Sequence, residues 1–167
     1  MLERKRVMFV NRRIATALAF SPVALASFAS PASAASEKKT DAQKGKLHRV
    51  AIHLNTNDAV LIGQALNNAQ NLQQYYSEKS EQLELRIVAH GPGLHMLRKD
   101  TSPVLERLAS MKGAMPHLSL AACANTRRTM EKAEGKEIPL TEMAEVVPSG
   151  VVELVSLQER GWSYLRA

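Results

Sequence analysis

The sequence is poor in cysteine and in aromatic residues. Its 167 residues include one Cys, one Trp, three Tyr and three Phe. The lone Cys123 rules out a disulfide within the chain, so its thiol is buried, paired between chains, or chemically employed. All three phenylalanines (Phe9, Phe20 and Phe28) fall in the first 34 residues. A core built beyond them must rely on Leu, Ile, Val, Met and Ala. Close ligand pairs such as HxxxH or CxxC are missing, so no metal site is expected. No G-x-S-x-G elbow or Ser-His-Asp pattern points to a hydrolase, and no cofactor motif appears. No apolar stretch is long and strong enough for a stable membrane span.

The first 34 residues have the order of an export signal: the basic "MLERKRVMFVNRR", the apolar "IATALAFSPVALASFA", and a small-residue end at Ala32-Ser33-Ala34. Cleavage is expected near Ala34/Ala35, placing the product in the periplasm or outside the cell. Arg12-Arg13 allows a twin-arginine route, and Met8 is an alternative start. This segment holds five of the 22 Lys and Arg and one of the 16 Asp and Glu. The remaining 133 residues therefore carry 17 against 15, a net charge of +2 rather than +6. No basic stripe with interleaved aromatics remains, so a nucleic-acid partner is not expected. That length suits one domain with one core.

Residues 35–47, "ASEKKTDAQKGKL", are polar and aperiodic and read as a flexible arm. The folded part is expected over 48–167. Strands are predicted at "HRVAIHL", "LELRIVA", "HLSLAAC" and the shorter "MAEVV". Helical spacing of Ile62, Ala65, Leu66, Ala69 and Leu72 predicts a helix capped by Asn57 or Asp58. A second helix, "PVLERLASMK", is predicted with Pro103 at its first position and Gly113 just past its end. A third, "NTRRTMEKAEG", stops at Gly135; a fourth runs from a Ser149 cap to Gly161. The tail "WSYLRA" fits either an edge strand or an interface segment. Strands alternating with helices argue for an α/β three-layer sandwich with a mainly parallel central sheet.

In an open parallel sheet, ligands bind in the crevice at the carboxyl ends of the strands. This sequence places "NTND", "HGPG", "CANT" and "PSG" there, gathering Asn55, Asn57, His90, Gly91, Gly93, Cys123, Asn125 and Ser149. Turn chemistry accounts for the Asn and Gly residues, and less well for His90 and Cys123. Cys123 sits just before a helix start, where free amides and the helix dipole favour a thiolate, and Arg127 and Arg128 follow within a turn. Burial is the competing reading, because free cysteines are commonly packed in cores. His90 is either a base or donor beside a ligand or the cap of the GPG turn. His53 reads as a core histidine. Glu131, Glu134, Glu142 and Glu145 read as a solvated face. The aromatic pairs Tyr75-Tyr76 and Trp162/Tyr164 read either as subunit contacts or, for one of each pair, as core residues.

Together "HLNTND", "VAHGPGLHML", "AACANT" and "VVPSGVVELVSLQERGWSYLR" resemble the DsrE/DsrF-like family, in particular its small, exported, poorly characterised branch. The resemblance spans residues 48 to 166. It implies a compact, flavodoxin-related α/β topology, commonly assembled into trimers or hexamers. It also implies sulfur chemistry: cytoplasmic relatives pass persulfide sulfur between cysteines, and their acceptor follows the third strand, where Cys123 lies here. With no second cysteine, any relay must hand sulfur to another protein, so a sulfur donor or acceptor protein is the expected partner. The expectation is an exported sulfur carrier using Cys123, with Asn55, Asn57, His90, Gly91, Gly93, Asn125 and Ser149 around the crevice. The alternative is a non-catalytic, oligomeric module that binds a small ligand or acts as a scaffold, with a structural cysteine.

Overall fold

The computed structural model describes residues 45–167; the expected export signal and residues 35–44 of the expected arm lie outside them. Five strands alternate with helices: β1 (Leu47–Leu54), α1 (Ala59–Glu78), β2 (Gln82–Ala89), a 3-10 turn over Gly91–Leu97, α2 (Leu105–Ala114), β3 (Leu118–Cys123), α3 (Ala124–Glu134), β4 (Ala144–Val147), α4 (Gly150–Glu159) and β5 (Ser163–Arg166). Every pairing between these strands is parallel, in the order β4-β3-β2-β1-β5. The result is an α/β sandwich with helices on both sides of an all-parallel sheet. It is doubly wound like flavodoxin-type folds, with its own strand order.

Side chains alternate across each strand, so residues two apart share a face. On one face Val50, Ile52, Leu54, Leu85, Ile87, Ala89, Leu120 and Ala122 pack against Ile62, Ala65, Leu66 and Ala69 of α1 and Leu108 and Met111 of α2. On the other, Ala51, Val88, Ala121 and Val147 pack against Leu154 and Leu157 of α4, with Trp162 at the margin. The core is thus aliphatic, as the missing phenylalanines require. The α4 face is only partly apolar. It also carries ion pairs, from Arg49 to Glu84 (2.9 Å) and from Arg86 to Glu145 (2.9 Å) and to Glu153 of α4 (2.7 Å).

Several expectations change in detail. β1 takes in Leu47, one residue of the expected arm. α2 starts at Leu105 with Val104 as its cap residue, two positions later than Pro103 suggested, and Gly113 lies inside its last turn. Ser102 explains the delay: its hydroxyl donates to the Met96 carbonyl (2.6 Å) and accepts from the Val104 amide (3.3 Å), so the chain turns before it coils. Asp58, not Asn57, caps α1, accepting from the amides of Val60 and Leu61. The tail is an edge strand, β5, pairing with β1 from Val50↔Ser163 to His53↔Arg166. Of the aromatics, Tyr76 packs against the core and Tyr75 is exposed.

Glu134 is not simply a solvated residue. Its carboxylate accepts two hydrogen bonds from the guanidinium of Arg98, which is 1% exposed and also grips Asp100 twice. Those bonds hold both carboxyl groups below their ordinary range. Through them the end of the 91–97 turn is tied to the last turn of α3.

Candidate functional site

β3 feeds α3, whose Met130 packs against the larger core, whereas β4 feeds α4 on the opposite face. The two connections therefore leave the sheet in opposite directions. In doubly wound folds that divergence opens the ligand crevice. Cys123, the last residue of β3, stands at this point, paired with Val147 of β4.

Cys123 is the N-cap of α3. Its sulfur accepts from the Thr126 amide at 3.4 Å, replacing the usual Ser or Asp oxygen. Burial pushes the thiol's pKa up. The Thr126 hydroxyl and the backbone amides of Gly150, Thr126 and Asn125 more than offset it, and the net displacement is downward. Two helix N-termini, those of α3 and α4, thus converge on one sulfur, and both dipoles favour its anion. Gly150 makes the approach feasible. A Cβ there would lie 2.8 Å from the His90 Cβ and 3.4 Å from the Cys123 Cβ, so any other residue would force α4 away. The thiol is 4% exposed.

His90 follows β2 as Cys123 ends β3, since Ala89 and Ala122 are register partners. Its Nε2 lies 2.6 Å from His53 Nε2, and the rings lie edge to edge and nearly coplanar, with centroids 4.7 Å apart and 16° between planes. His53 Nδ1 in turn lies 2.6 Å from the Tyr164 hydroxyl. Burial lowers both histidine pKa values; for His53, the facing His90 and nearby Arg166 lower it further. His53 is therefore a linked, half-buried residue rather than a packed core histidine.

The HGPG turn is fastened to the same place. Gly91 adopts φ +51° and donates its amide to the Thr126 hydroxyl at 2.9 Å. Gly93 is structural: a Cβ there would come within 2.3 Å of the Leu54 carbonyl oxygen, so only glycine lets the turn pass the end of β1. Asn125 contributes its backbone amide, while its side chain accepts from Arg128. Ser149 precedes α4 with no side-chain capping bond. The structure thus joins Cys123, His90, Gly91, Asn125 and the Ser149–Gly150 turn. It gives Asn55 and Asn57 no hydrogen bond to this group, and Asn57 is exposed. Beyond Thr126 and Asn125 opens a groove of about 430 Å³ lined by Gly91, Pro92, His95, Thr129 and Met130. Among the described residues no group of three His, Cys, Asp or Glu is arranged to hold a metal ion.

Fold and site together define a doubly wound α/β protein with a helix-capped thiol where the sheet's connections diverge. In overall structure it is similar to MTH1491 from Methanobacterium thermoautotrophicum, a protein of unknown function: TM-score 0.62 and 29% sequence identity, over 72% of this chain and 99% of that one. No family model and no curated protein matches the chain.

Proposed function

We propose that the chain is a sulfur carrier of the DsrE-like type, exported to the periplasm, whose Cys123 thiolate accepts sulfane sulfur as a persulfide. The supporting observation is the position of the sulfur between two helix N-termini, which lowers the cost of its anion despite burial. Thiolates attack sulfane sulfur, and the donors around Sγ make ionisation of this thiol easier. In the loading step Cys123–S⁻ attacks the outer sulfur of a donor R–S–SH. A new S–S bond forms at Sγ, the donor's S–S bond breaks, and R–S⁻ leaves with the electron pair. The sulfur is later handed to a thiol of another protein. The exposed α4 valines Val151, Val152 and Val155 support assembly into a homo-oligomer through that helix.

The 4% exposure of Cys123 and its capping role favour the second reading, a binding or scaffolding module with a structural cysteine. Intact mass after treatment of residues 35–167 with inorganic polysulfide separates the two. A carrier gains about 32 Da per sulfur added at Cys123, and Cys123→Ser, which keeps an N-cap oxygen, folds but gains nothing. A thiol that stays unmodified until denaturation would leave the module reading standing.

A further inference from the structure

Tyr164, His53 and His90 come from three adjacent strands and form one hydrogen-bonded chain that ends beside Cys123. Two proton arrangements satisfy the two bonds, both 2.6 Å, because a phenol and a neutral imidazole each have a donor and an acceptor. In one, His90 Nε2–H donates to His53 Nε2 and His53 Nδ1–H to the Tyr164 oxygen; in the other, Tyr164 O–H donates to His53 Nδ1. A neutral His53 then carries its proton on Nε2 and donates it to His90 Nε2. Protons on both facing Nε2 atoms would collide. In this second arrangement His90 carries its proton on Nδ1, the arrangement that a Cys123 thiolate beside the ring favours.

That nitrogen adjoins Cγ at the Cβ end of the ring, the end packed on Gly150, which also abuts Cys123. No other hydrogen bond links the His90 ring to the described residues. We propose that Tyr164 and His53 are positioning residues that hold His90 as the Nδ1–H tautomer, so that a proton donor faces the crevice beside Cys123.

The role of that donor rests on the sulfur-carrier reading. During loading R–S⁻ leaves more readily if it takes a proton as the S–S bond breaks, and His90 Nδ1–H supplies it. The His53 Nε2 proton moves to His90 Nε2, the Tyr164 proton moves to His53 Nδ1, and water reprotonates the tyrosine oxygen. The balance is Cys123–S⁻ + R–S–SH + H⁺ → Cys123–S–SH + R–SH. Delivery runs the chain backwards. The acceptor thiol gives its proton to the now bare His90 Nδ1, attacks the persulfide, and restores Cys123–S⁻. One set of protons thus serves both half-reactions, and Arg166, the charged neighbour of His53, discourages a second proton from entering.

Tautomers are read directly from long-range ¹H–¹⁵N spectra of the protein at pH 7.5. The expected result is Nδ1–H for His90 and Nε2–H for His53, with mixed tautomers at both in Tyr164→Phe. Nε2–H at His90 in the wild type, or unchanged tautomers in Tyr164→Phe, would overturn the assignment. The proton role is tested by loading with glutathione persulfide, using iodoacetamide alkylation, whose leaving group needs no proton, as the control. Tyr164→Phe is expected to slow loading severalfold while alkylation keeps its rate. Equal loading by both proteins would remove the donor role. A wild type that never loads would sink the sulfur-carrier reading and the donor role with it, while the spectra would still decide the tautomer.

Discussion

Gly150→Ala tests whether α4 is held against the thiol as tightly as the structure places it. Carbon atoms in contact rest about 3.5–4.0 Å apart. The new methyl would start 2.8 Å from the His90 Cβ and 3.3 Å from its Cγ, so that contact must open by roughly 0.7 Å or more. Neither atom is the free end of a flexible chain. The strain falls on the helix, whose first turn must back away from β2 and β3. Overpacking of this kind costs about 1–3 kcal/mol. Replacing glycine by alanine returns up to about 1 kcal/mol of helix propensity, and less at a first helical position. The net expectation is a loss of about 1–2 kcal/mol, read as a lower urea midpoint at unchanged slope. A second effect follows from the same displacement. The Gly150 amide is one of the donors that lower the Cys123 pKa, and a hydrogen bond to a charged group is worth about 1.5 kcal/mol. Losing it should cut alkylation at neutral pH by up to about tenfold. A variant as stable as the wild type and equally reactive would refute the account of α4 as a clamp on the thiol.

Two other outcomes follow from the charges. Both linked histidines have folded pKa values below the ordinary 6.5. Above that pH neither state binds the protons; as pH falls through it, the unfolded chain takes up protons that the folded protein refuses, so stability drops. Thermal midpoints from pH 8 to 5 should fall, and His53→Gln/His90→Gln should flatten that slope; an unchanged slope would exclude the pair as its source. Arg98→Ala leaves Asp100 and Glu134 with only the exposed Lys136 between them. Water and Lys136 can still serve these carboxylates, so the loss is that of the buried Arg98's charged hydrogen bonds, about 1.5–3 kcal/mol by urea titration. A loss below about 1 kcal/mol would mean that Arg98 does not hold the 91–97 turn to α3.

The parts of the fold legible in the sequence were those written in local periodicity. Alternation in "HRVAIHL" and the 3–4 spacing of Ile62, Leu66 and Ala69 mark β1 and α1 to within a few residues. Cys123 and His90 could be placed by one rule, that strand carboxyl ends gather at the crevice. For Asn55 and Asn57 the same rule places the loop but no contact, because the residues after β1 lead into the Asp58 cap of α1. The His53–Tyr164 contact was hidden because it joins residues 111 positions apart through the register of β5 on β1. Gly150 could be read as a turn glycine, but not as the point where two helices meet one sulfur. Nothing local distinguishes Glu134 from its neighbours until Arg98, in a distant turn, reaches it.

The position of the last strand carries a kinetic consequence. β5 adds beside β1, the first strand made, so the sheet gains its final edge only when opposite ends of the folded region meet. Such a closure spans the greatest sequence separation in the domain and is expected to form late. A chain with β1 to β4 assembled already has its thiol capped by α3, yet it lacks Tyr164 and hence the fixed tautomer at His90. A nucleophile would then exist before its proton route, and the finished site would report that the entire sheet has closed.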